Sequence, residues 1–323
     1  MRVGAWIAGA IVLCCAWSAE AADTIRVAVQ KTGTVSWELA AMKALGLDKA
    51  ANLDIAITEV ATTDAGKIAI QGGAADLIVS DWLWAARERA LGDKLLFTPY
   101  STALGCVMTP KDSPVRTLSD LAGRSLGVAG GPLDKSWLLV QAAARKDGQD
   151  LVKTARPAYG APPLLAEKLA QGELDAALEF WTFCVDLETR GFRRAIDMAD
   201  VEKALGAKGP VAMTGWVFTE PFAREHGDAL ERFFAAAAKA RAALASDPAL
   251  WAPIKARLHW AGDAALDLYR KRWLEGVPKR PVAEEAEDAR ALYRAIVAVG
   301  GQDLVGGAPD LDSGLFFDPN AAR

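Results

Sequence analysis

Tryptophan residues stand just after several short apolar or β-branched segments of this 323-residue chain. The residues in such places are Trp37, Trp82, Trp84, Trp137 and Trp181. The flat face of an indole ring binds aromatic rings and organic cations well. Packing in a core would also explain each tryptophan taken alone, and the sequence leaves that alternative open. Taken together, the tryptophans predict a binding site for a flat or cationic organic solute.

Polar residues accompany these tryptophans. Asp81, Asp134 and Glu179 would favour a ligand with amino or ammonium groups, although the two aspartates are equally suited to capping helices. Ser36 and the backbone N–H groups after the Gly-Gly pair at 130–131 would suit a carbonyl or anionic group. The predicted ligand-binding residues are Ser36, Trp37, Asp81, Trp82, Gly130, Gly131, Asp134, Trp137, Glu179 and Trp181.

The side chains that most often carry catalysis are scarce after residue 22. Only Cys106 and Cys184 remain there, and the sequence is compatible with either a disulfide or two buried thiols. The histidines are His226 and His259, and neither has the spacing of a metal site or a catalytic triad. We therefore expect no catalysis, no metal and no cofactor.

The first 22 residues have the pattern of a secretory signal peptide. Arg2 gives a positive start, residues 3–17 form an apolar run, and Ala19 and Ala21 supply the small residues of a cleavage site. The run is shorter than the roughly 20 residues that a membrane-spanning helix needs. We expect cleavage after this segment and a periplasmic location.

Composition limits the class of protein. Hydrophobic residues make up 52% of the chain, charged residues make up 24%, and the formal net charge is −4. This composition allows a large core without a framework of disulfides. It lacks the basic footprint of a nucleic-acid-binding protein, so we expect no nucleic-acid partner. We expect a monomer that folds as two domains or one large α/β unit.

The predicted elements alternate between strands and helices, which indicates a parallel sheet with helices on both faces. The predicted strands are 25–29, 53–60, 76–80, 103–109, 125–129, 174–179 and 211–218. The predicted helices are 37–45, 64–71, 82–91, 118–122, 133–146, 164–171, 229–244, 249–258, 264–273 and 283–299. Strand 211–218 is expected to return the chain to the first sheet.

The two halves share one phrase, at residues 71–80 and 171–180. Each copy has the end of a helix, a glycine-containing turn, an aspartate before a short apolar strand, and then a tryptophan. The similarity is short enough to arise by chance. Its place in each half favours a duplicated α/β lobe.

Several segments carry a resemblance to a known family. These segments are 25–29, 33–37, 71–76, 118–128 with the glycines that follow it, and 169–177. On these residues the chain resembles the extracytoplasmic solute-binding proteins of ABC importers, in the branch that handles sulfonates, nitrate, taurine and thiamine-pyrimidine precursors. The segment 118–128 is the most specific of them.

The resemblance implies a two-lobed periplasmic-binding-protein fold of type II. Residues 23–102 and 212–323 would form lobe one, residues 103–211 would form lobe two, and the crossings would lie near Tyr100–Leu104 and Val211–Trp216. A ligand in the cleft would close the hinge, and the protein would deliver it to an ABC permease and ATPase complex.

Ligand identity does not follow from the resemblance. The acidic residues make a flat or cationic organic solute more expected than sulfonate or nitrate, while Lys67 and Lys135 could pair with those acids or meet an anion. Two other functions stay open: an enzyme of the pyrimidine-precursor-synthesis type on the same fold, and a solute sensor for another membrane partner.

Overall fold

The computed structural model describes residues 21–31, 33–255, 258 and 263–321. Most of the predicted signal peptide, together with His259, therefore lies outside the described residues. Within the described part, no helix combines the length and apolar character that crossing a membrane requires.

The first sheet contains five strands. These are β1 (Asp23–Gln30), β2 (Leu53–Val60), β3 (Leu77–Asp81), β4 (Leu95–Ser101) and β10 (Thr214–Thr219). Their spatial order is β2-β1-β3-β10-β4. β1 is parallel to β2 and β3, whereas β10 is antiparallel to β3 and β4. The sheet is therefore mixed and not parallel as predicted, because β10 enters it in the antiparallel direction. The return of the chain to this sheet at β10 was predicted.

The second sheet repeats this arrangement. Its strands are β5 (Gly105–Thr109), β6 (Ser125–Ala129), β7 (Arg156–Gly160), β8 (Ala176–Phe180) and β9 (Arg193–Asp197), in the order β7-β6-β8-β5-β9. β8 corresponds to β3, with a parallel neighbour (β6) on one side and an antiparallel neighbour (β5) on the other. Among the described residues, the chain passes between the sheets at 102–104 and at 205–213.

Two aspartates mark the repeat in atomic detail. The Asp76 carboxylate accepts the backbone N–H of Arg26 at 2.7 Å, and the Asp175 carboxylate accepts that of Ser125 at 2.7 Å. Each aspartate returns a backbone hydrogen bond to the same residue, at 2.8 and 3.0 Å. These matching contacts support the predicted duplication.

Helices cover both faces of the sheets. Before β10 they are α1 (Val35–Ala44), α2 (Leu47–Ala50), α3 (Thr63–Gln71) and α4 (Trp82–Ala90) beside the first sheet, and α5 (Lys135–Lys146), α6 (Leu151–Thr154), α7 (Pro162–Ala170), α8 (Trp181–Thr189) and α9 (Met198–Ala204) beside the second. After β10 come α10 (Glu220–Glu225), α11 (Gly227–Ser246), α12 (Ala252–Lys255), α13 (Asp263–Glu275) and α14 (Val282–Gly300). Short 3₁₀ helices cover Leu118–Leu121, Pro248–Trp251 and Gln302–Val305.

The C-terminal helices contact both halves of the molecule. α11 packs on α1, whereas α13 packs on α8 and α14 packs on α5. The Tyr269 hydroxyl of α13 donates to the carbonyl oxygen of Thr182 at 3.0 Å and to the Asp186 carboxylate. Arg272 forms an ion pair with Glu188 at 2.5 Å. The C-terminal region thus holds α8 of the second half against the first.

A disulfide joins Cys106 at the start of β5 to Cys184 in α8, with the Cα atoms 6.4 Å apart. Both residues are fully buried. Of the two alternatives that the sequence left open, a disulfide and a pair of buried thiols, the structure shows the disulfide.

Three strands were not predicted, namely β4, β7 and β9. All three lie at the ends of the strand orders, so each has a neighbouring strand among the described residues on one side only. Proline is tolerated at such edges, and charged side chains are common there. Pro99, Pro157 and the Arg193-Arg194 pair therefore obscured the apolar pattern on which the predictions relied.

Candidate ligand-binding site

A cavity of about 540 Å³ lies where the carboxyl ends of β1 and β3 in one sheet face the end of β8 in the other. This volume lies within the range of small-molecule pockets, about 300 to 1,000 Å³. Residues of the first crossing, Ala103 and Leu104, and Thr214 at the start of β10 also line it. Both sheets and the segment between them therefore contribute to its walls.

Several helices begin at this cavity. Residues at the N-terminal ends of α1, α3, α5, α7 and α8 line it. The first N–H groups of a helix have no partner within the helix and carry partial positive charge. Convergence of these ends therefore favours anionic or carbonyl groups of a ligand.

The cavity has one charged side chain of each sign among its described lining residues, Asp81 and Lys135. Asp81 caps α4, since its Oδ1 accepts the N–H of Trp84 at 2.8 Å. That carboxylate already offsets the N-terminal dipole of α4. Positive charge at the cavity therefore comes from Lys135 and from the N-terminal ends of α1 and α8, which no described side chain caps.

Hydroxyl groups supply most of the remaining polar surface of the cavity. The residues that bear them are Thr34, Thr63, Tyr100, Ser80, Ser101, Ser136, Thr182 and Thr214. Ser80 is 3% exposed, and its Oγ has no hydrogen-bond partner in the described part of the chain. A buried hydroxyl without a partner is costly, so Ser80 is suited to bonding a ligand.

Aromatic side chains form one wall. Trp181 lines the cavity together with Tyr100, Phe180 and Phe183. The Trp181 ring is 9% exposed and packs edge to face against Tyr269, with the ring centroids 6.0 Å apart. The sequence interpretation missed Tyr100, Phe180 and Phe183, although all three are aromatic residues beside predicted strand ends.

Only two of the predicted site residues line the cavity, Asp81 and Trp181. The prediction that Trp37, Trp82 and Trp181 border one cleft is wrong for the first two. Trp82 is fully buried in a core cluster, and Trp37 is 2% exposed in a different cluster. Trp137 is likewise fully buried. Packing accounts for these three rings, because each lies between its helix and the helices or strands beneath it.

The predicted small and capping residues form the turns beside the cavity without lining it. Gly130 and Gly131 have φ of +83° and +103°, values that favour glycine. Asp134 caps α5 by accepting the N–H of Ser136 at 2.9 Å, and burial raises its pKa. Ser36 donates to the carbonyl oxygen of Gly33 at 2.6 Å.

Glu179 carries no negative charge at neutral pH. Its side chain is 1% exposed, and neither carboxyl oxygen has a hydrogen-bond partner among the described residues. Burial raises its pKa from 4.5 to about 9. The expected acidic field is therefore reduced to Asp81 at the cavity surface and Asp134 beside it, which weakens the sequence argument for a cationic ligand.

The described cysteines and histidine take part in structural contacts. Cys106 and Cys184 are joined in the disulfide, so neither is a free thiol. His226 lies at the end of α10 and packs against Phe222, with the ring centroids 5.0 Å apart. No group of acidic, histidine or cysteine side chains in the described segments could hold a metal ion.

Comparisons with known proteins agree with this architecture. A family model described as NMT1/THI5 like matches residues 38–250. No curated protein sequence matches the chain. Among solved structures, the periplasmic aliphatic sulphonate binding protein SsuA from Escherichia coli is 20% identical; the alignment covers 91% of this chain and 98% of that chain, with a TM-score of 0.67.

Two further solved structures extend the comparison. A putative periplasmic sulfonate-binding protein SsuA from Methylobacillus flagellatus KT is 15% identical over 92% of each chain, with a TM-score of 0.68. The desulfurization enzyme DSZB is 14% identical over 89% of this chain and 97% of that chain, with a TM-score of 0.54. At these identities the similarity shows the fold, which is that of periplasmic binding proteins.

Proposed function

The chain belongs to the NMT1/THI5-like family, and from that premise we propose that it is the periplasmic substrate-binding component of an ABC importer. It captures a small organic solute between two lobes and delivers it to a permease and ATPase complex. The observation that carries this proposal is the cavity of about 540 Å³ whose walls come from both sheets. The similar SsuA structures, which are of periplasmic sulfonate-binding proteins, support it.

The ligand is a small organic anion with a flat or apolar body. Lys135, the converging helix ends and the hydroxyl groups supply positive charge and hydrogen-bond donors for an acidic head group. Trp181, Phe180 and Phe183 supply aromatic surface for the body. A small inorganic anion would bind the positive and hydrogen-bonding groups but would make no use of the aromatic surface.

A cationic ligand is the alternative, and Asp81 is the observation that favours it. This carboxylate lines the cavity, and an ammonium group beside Trp181 would gain cation–π attraction. The two candidates differ in the charge of the head group, so probes of matched shape and opposite charge separate them.

Closure of the lobes accompanies binding. We place residues 23–102 and 212–323 in lobe one and residues 103–211 in lobe two. The ligand touches both lobes, and its contacts favour the closed form by the difference between its affinities for the two forms. The segments 102–104 and 205–213 are the parts that bend.

Thermal stability measured with four probes tests the proposal. The probes are benzenesulfonate, ethanesulfonate, benzylamine and sulfate, each titrated into the full chain. Benzenesulfonate is expected to raise the melting temperature in a saturable way and to change tryptophan fluorescence, while sulfate leaves the fluorescence unchanged. Ethanesulfonate reports the contribution of the head group without the ring.

Two results would count against this function. Equal fluorescence responses to sulfate and benzenesulfonate would remove the role of the aromatic wall. No saturable response to these probes or to a wider set of organic acids and amines would contradict the solute-binding role. A response to benzylamine alone would instead select the cationic alternative.

A further inference from the structure

Two arginine side chains meet at the end of the second sheet that lies away from the cavity. Strand β5 runs from the cavity wall at Leu104 to Thr109, and Thr109 is the cross-strand partner of Arg193. At about 3.4 Å per residue, five residues place Arg193 some 15 Å or more from that wall. Arg116 comes from the loop that follows β5.

The two guanidinium groups share their acceptors. Arg193 Nη2 donates to the carbonyl oxygens of Ser113 and Val115 at 3.2 and 2.6 Å. Arg116 Nη1 donates to the Val115 oxygen at 2.9 Å and also to that of Ser113. Two like charges are therefore held beside each other by the same pair of neutral oxygens.

Neither guanidinium forms an ion pair with a carboxylate in the described part of the chain. The nearby Asp120 carboxylate accepts the backbone N–H groups of Arg116 and Thr117 at 2.9 and 2.8 Å. Arg194, the next residue along β9, behaves differently, because it pairs with Glu188 and Asp197 at 3.3 and 2.8 Å. Burial and the charge of Arg116 both lower the pKa of Arg193.

Two further polar atoms at this place have no partner among the described residues. They are Nε of Arg193 and Oγ1 of Thr109, and Thr109 is fully buried. Directly opposed residues of an antiparallel pair project from the same face of the sheet. Hydrogen-bond donors thus accumulate beside two guanidinium groups. The acidic side chain near them is Asp120, whose carboxylate is bonded to backbone N–H groups.

We propose that Arg116 and Arg193 form a binding site for an oxyanion of the phosphate class, separate from the solute cavity. A guanidinium matches the oxygens of phosphate with paired N–H donors. A doubly charged tetrahedral anion would compensate both guanidinium groups at once, whereas a single carboxylate would compensate one. The anion is either free inorganic phosphate or the phosphate of a lipid headgroup.

Titration of the full chain with inorganic phosphate at low ionic strength, followed by ³¹P NMR, tests this site. Saturable binding is expected for the wild type and should weaken about tenfold in Arg116→Ala and in Arg193→Ala, which each remove one charge-assisted contact. Arg224→Ala is the matched control, because Arg224 is exposed on α10 and its removal changes net charge equally. Since Arg116 is exposed, its variant stays informative even if Arg193→Ala does not fold.

A second arm identifies the source of the anion. Cosedimentation with phosphatidic acid vesicles, compared with phosphatidylcholine vesicles, is expected to depend on both arginines if a lipid headgroup is bound. Phosphate binding without vesicle binding assigns the site to free anion. The proposal is overturned if the wild type binds neither probe, if both arginine variants bind phosphate as the wild type does, or if Lys135→Gln abolishes phosphate binding while the arginine variants retain it.

Discussion

The indole rings of Trp37 and Trp181 pack edge to face with their centroids 6.0 Å apart, although Trp37 lies on α1 beside the first sheet and Trp181 begins α8 after the second. Tyr269 of α13 contacts both rings, at 6.3 and 6.0 Å. Trp181 belongs to the second half of the molecule and lines the cavity. Its ring is oriented by packing against Trp37 of the first half and Tyr269 of α13.

Replacement of Trp181 by alanine should weaken ligand binding by about tenfold or more, because it removes the ring that faces the cavity. Isothermal titration calorimetry with the best probe measures the change. Trp84→Ala is the matched control, since Trp84 is half-buried on α4 and does not line the cavity. Unchanged affinity in a folded Trp181→Ala variant would show that the aromatic wall is not used.

Affinity for an anionic ligand should change in opposite directions when Lys135 and Asp81 are neutralised. Lys135→Gln is expected to weaken benzenesulfonate binding about tenfold, which corresponds to about 1.4 kcal/mol. Asp81→Asn should strengthen it while keeping the cap of α4, because asparagine is an equally good N-cap. Titrations of both variants at low and high salt check this. Weaker binding of the anion to Asp81→Asn would contradict the predicted positive field.

The comparison of Trp82 with Trp181 shows what the sequence could predict of the site. Each tryptophan is the first residue of a helix that follows a central strand. The backbone N–H of Trp82 donates to the carbonyl oxygen of Met213, just before β10, and that of Trp181 donates to the carbonyl oxygen of Leu104, just before β5. The pattern correctly located both strand ends. It could not predict that the Trp82 ring is fully buried while the Trp181 ring reaches the cavity, because that depends on which distant helices cover each ring.

The fold was easier to predict from the sequence than the site was. Central strands such as β3 and β8 are buried on both faces, so apolar runs identify them. Edge strand β9 contains Arg193 and Arg194 and gave no such signal. The charge of Glu179 was also misjudged, since its neutral form follows from burial that no local pattern encodes.

Stability should fall as pH rises through the neutral range because of Glu179. In the unfolded chain this carboxyl ionises near its usual pKa of 4.5, while the folded protein keeps it protonated until about pH 9. The folded state therefore binds the extra proton, and raising pH between these values favours unfolding.

Glu179→Gln removes this contribution and leaves that of Glu202, whose pKa burial raises to about 8. The variant should be more stable than the wild type by at least about 1 kcal/mol at pH 8 and equal to it near pH 4. Urea unfolding across this pH range measures the difference. Glu173→Gln is the control, because its side chain is 51% exposed. Parallel pH profiles for wild type and Glu179→Gln would refute the assignment of a neutral carboxyl.

The stability of the second crossing segment, residues 205–213, should depend on the Asp288 carboxylate of α14. This buried carboxylate accepts the N–H groups of Lys208 and Gly209 at 2.9 and 3.3 Å and pairs with Arg280 at 2.6 Å. Asp288→Ala leaves these donors without an acceptor and is expected to cost about 3 kcal/mol of unfolding free energy.

Glu287→Ala provides the matched control for Asp288. The Glu287 side chain is 69% exposed and pairs with Arg290 at the surface, so its loss should cost less than about 1 kcal/mol. Urea unfolding of both variants gives the comparison. Equal destabilisation of the two variants would mean that the contacts of Asp288 with residues 205–213 add no specific stability.

A crystal structure of the chain with its tightest-binding organic probe shows directly whether the cavity is the solute site. Ligand density is expected in the cavity, with the head group at Lys135 and the hydroxyl groups and the body against Trp181. Ligand density elsewhere on the molecule, with this cavity empty, would contradict this expectation.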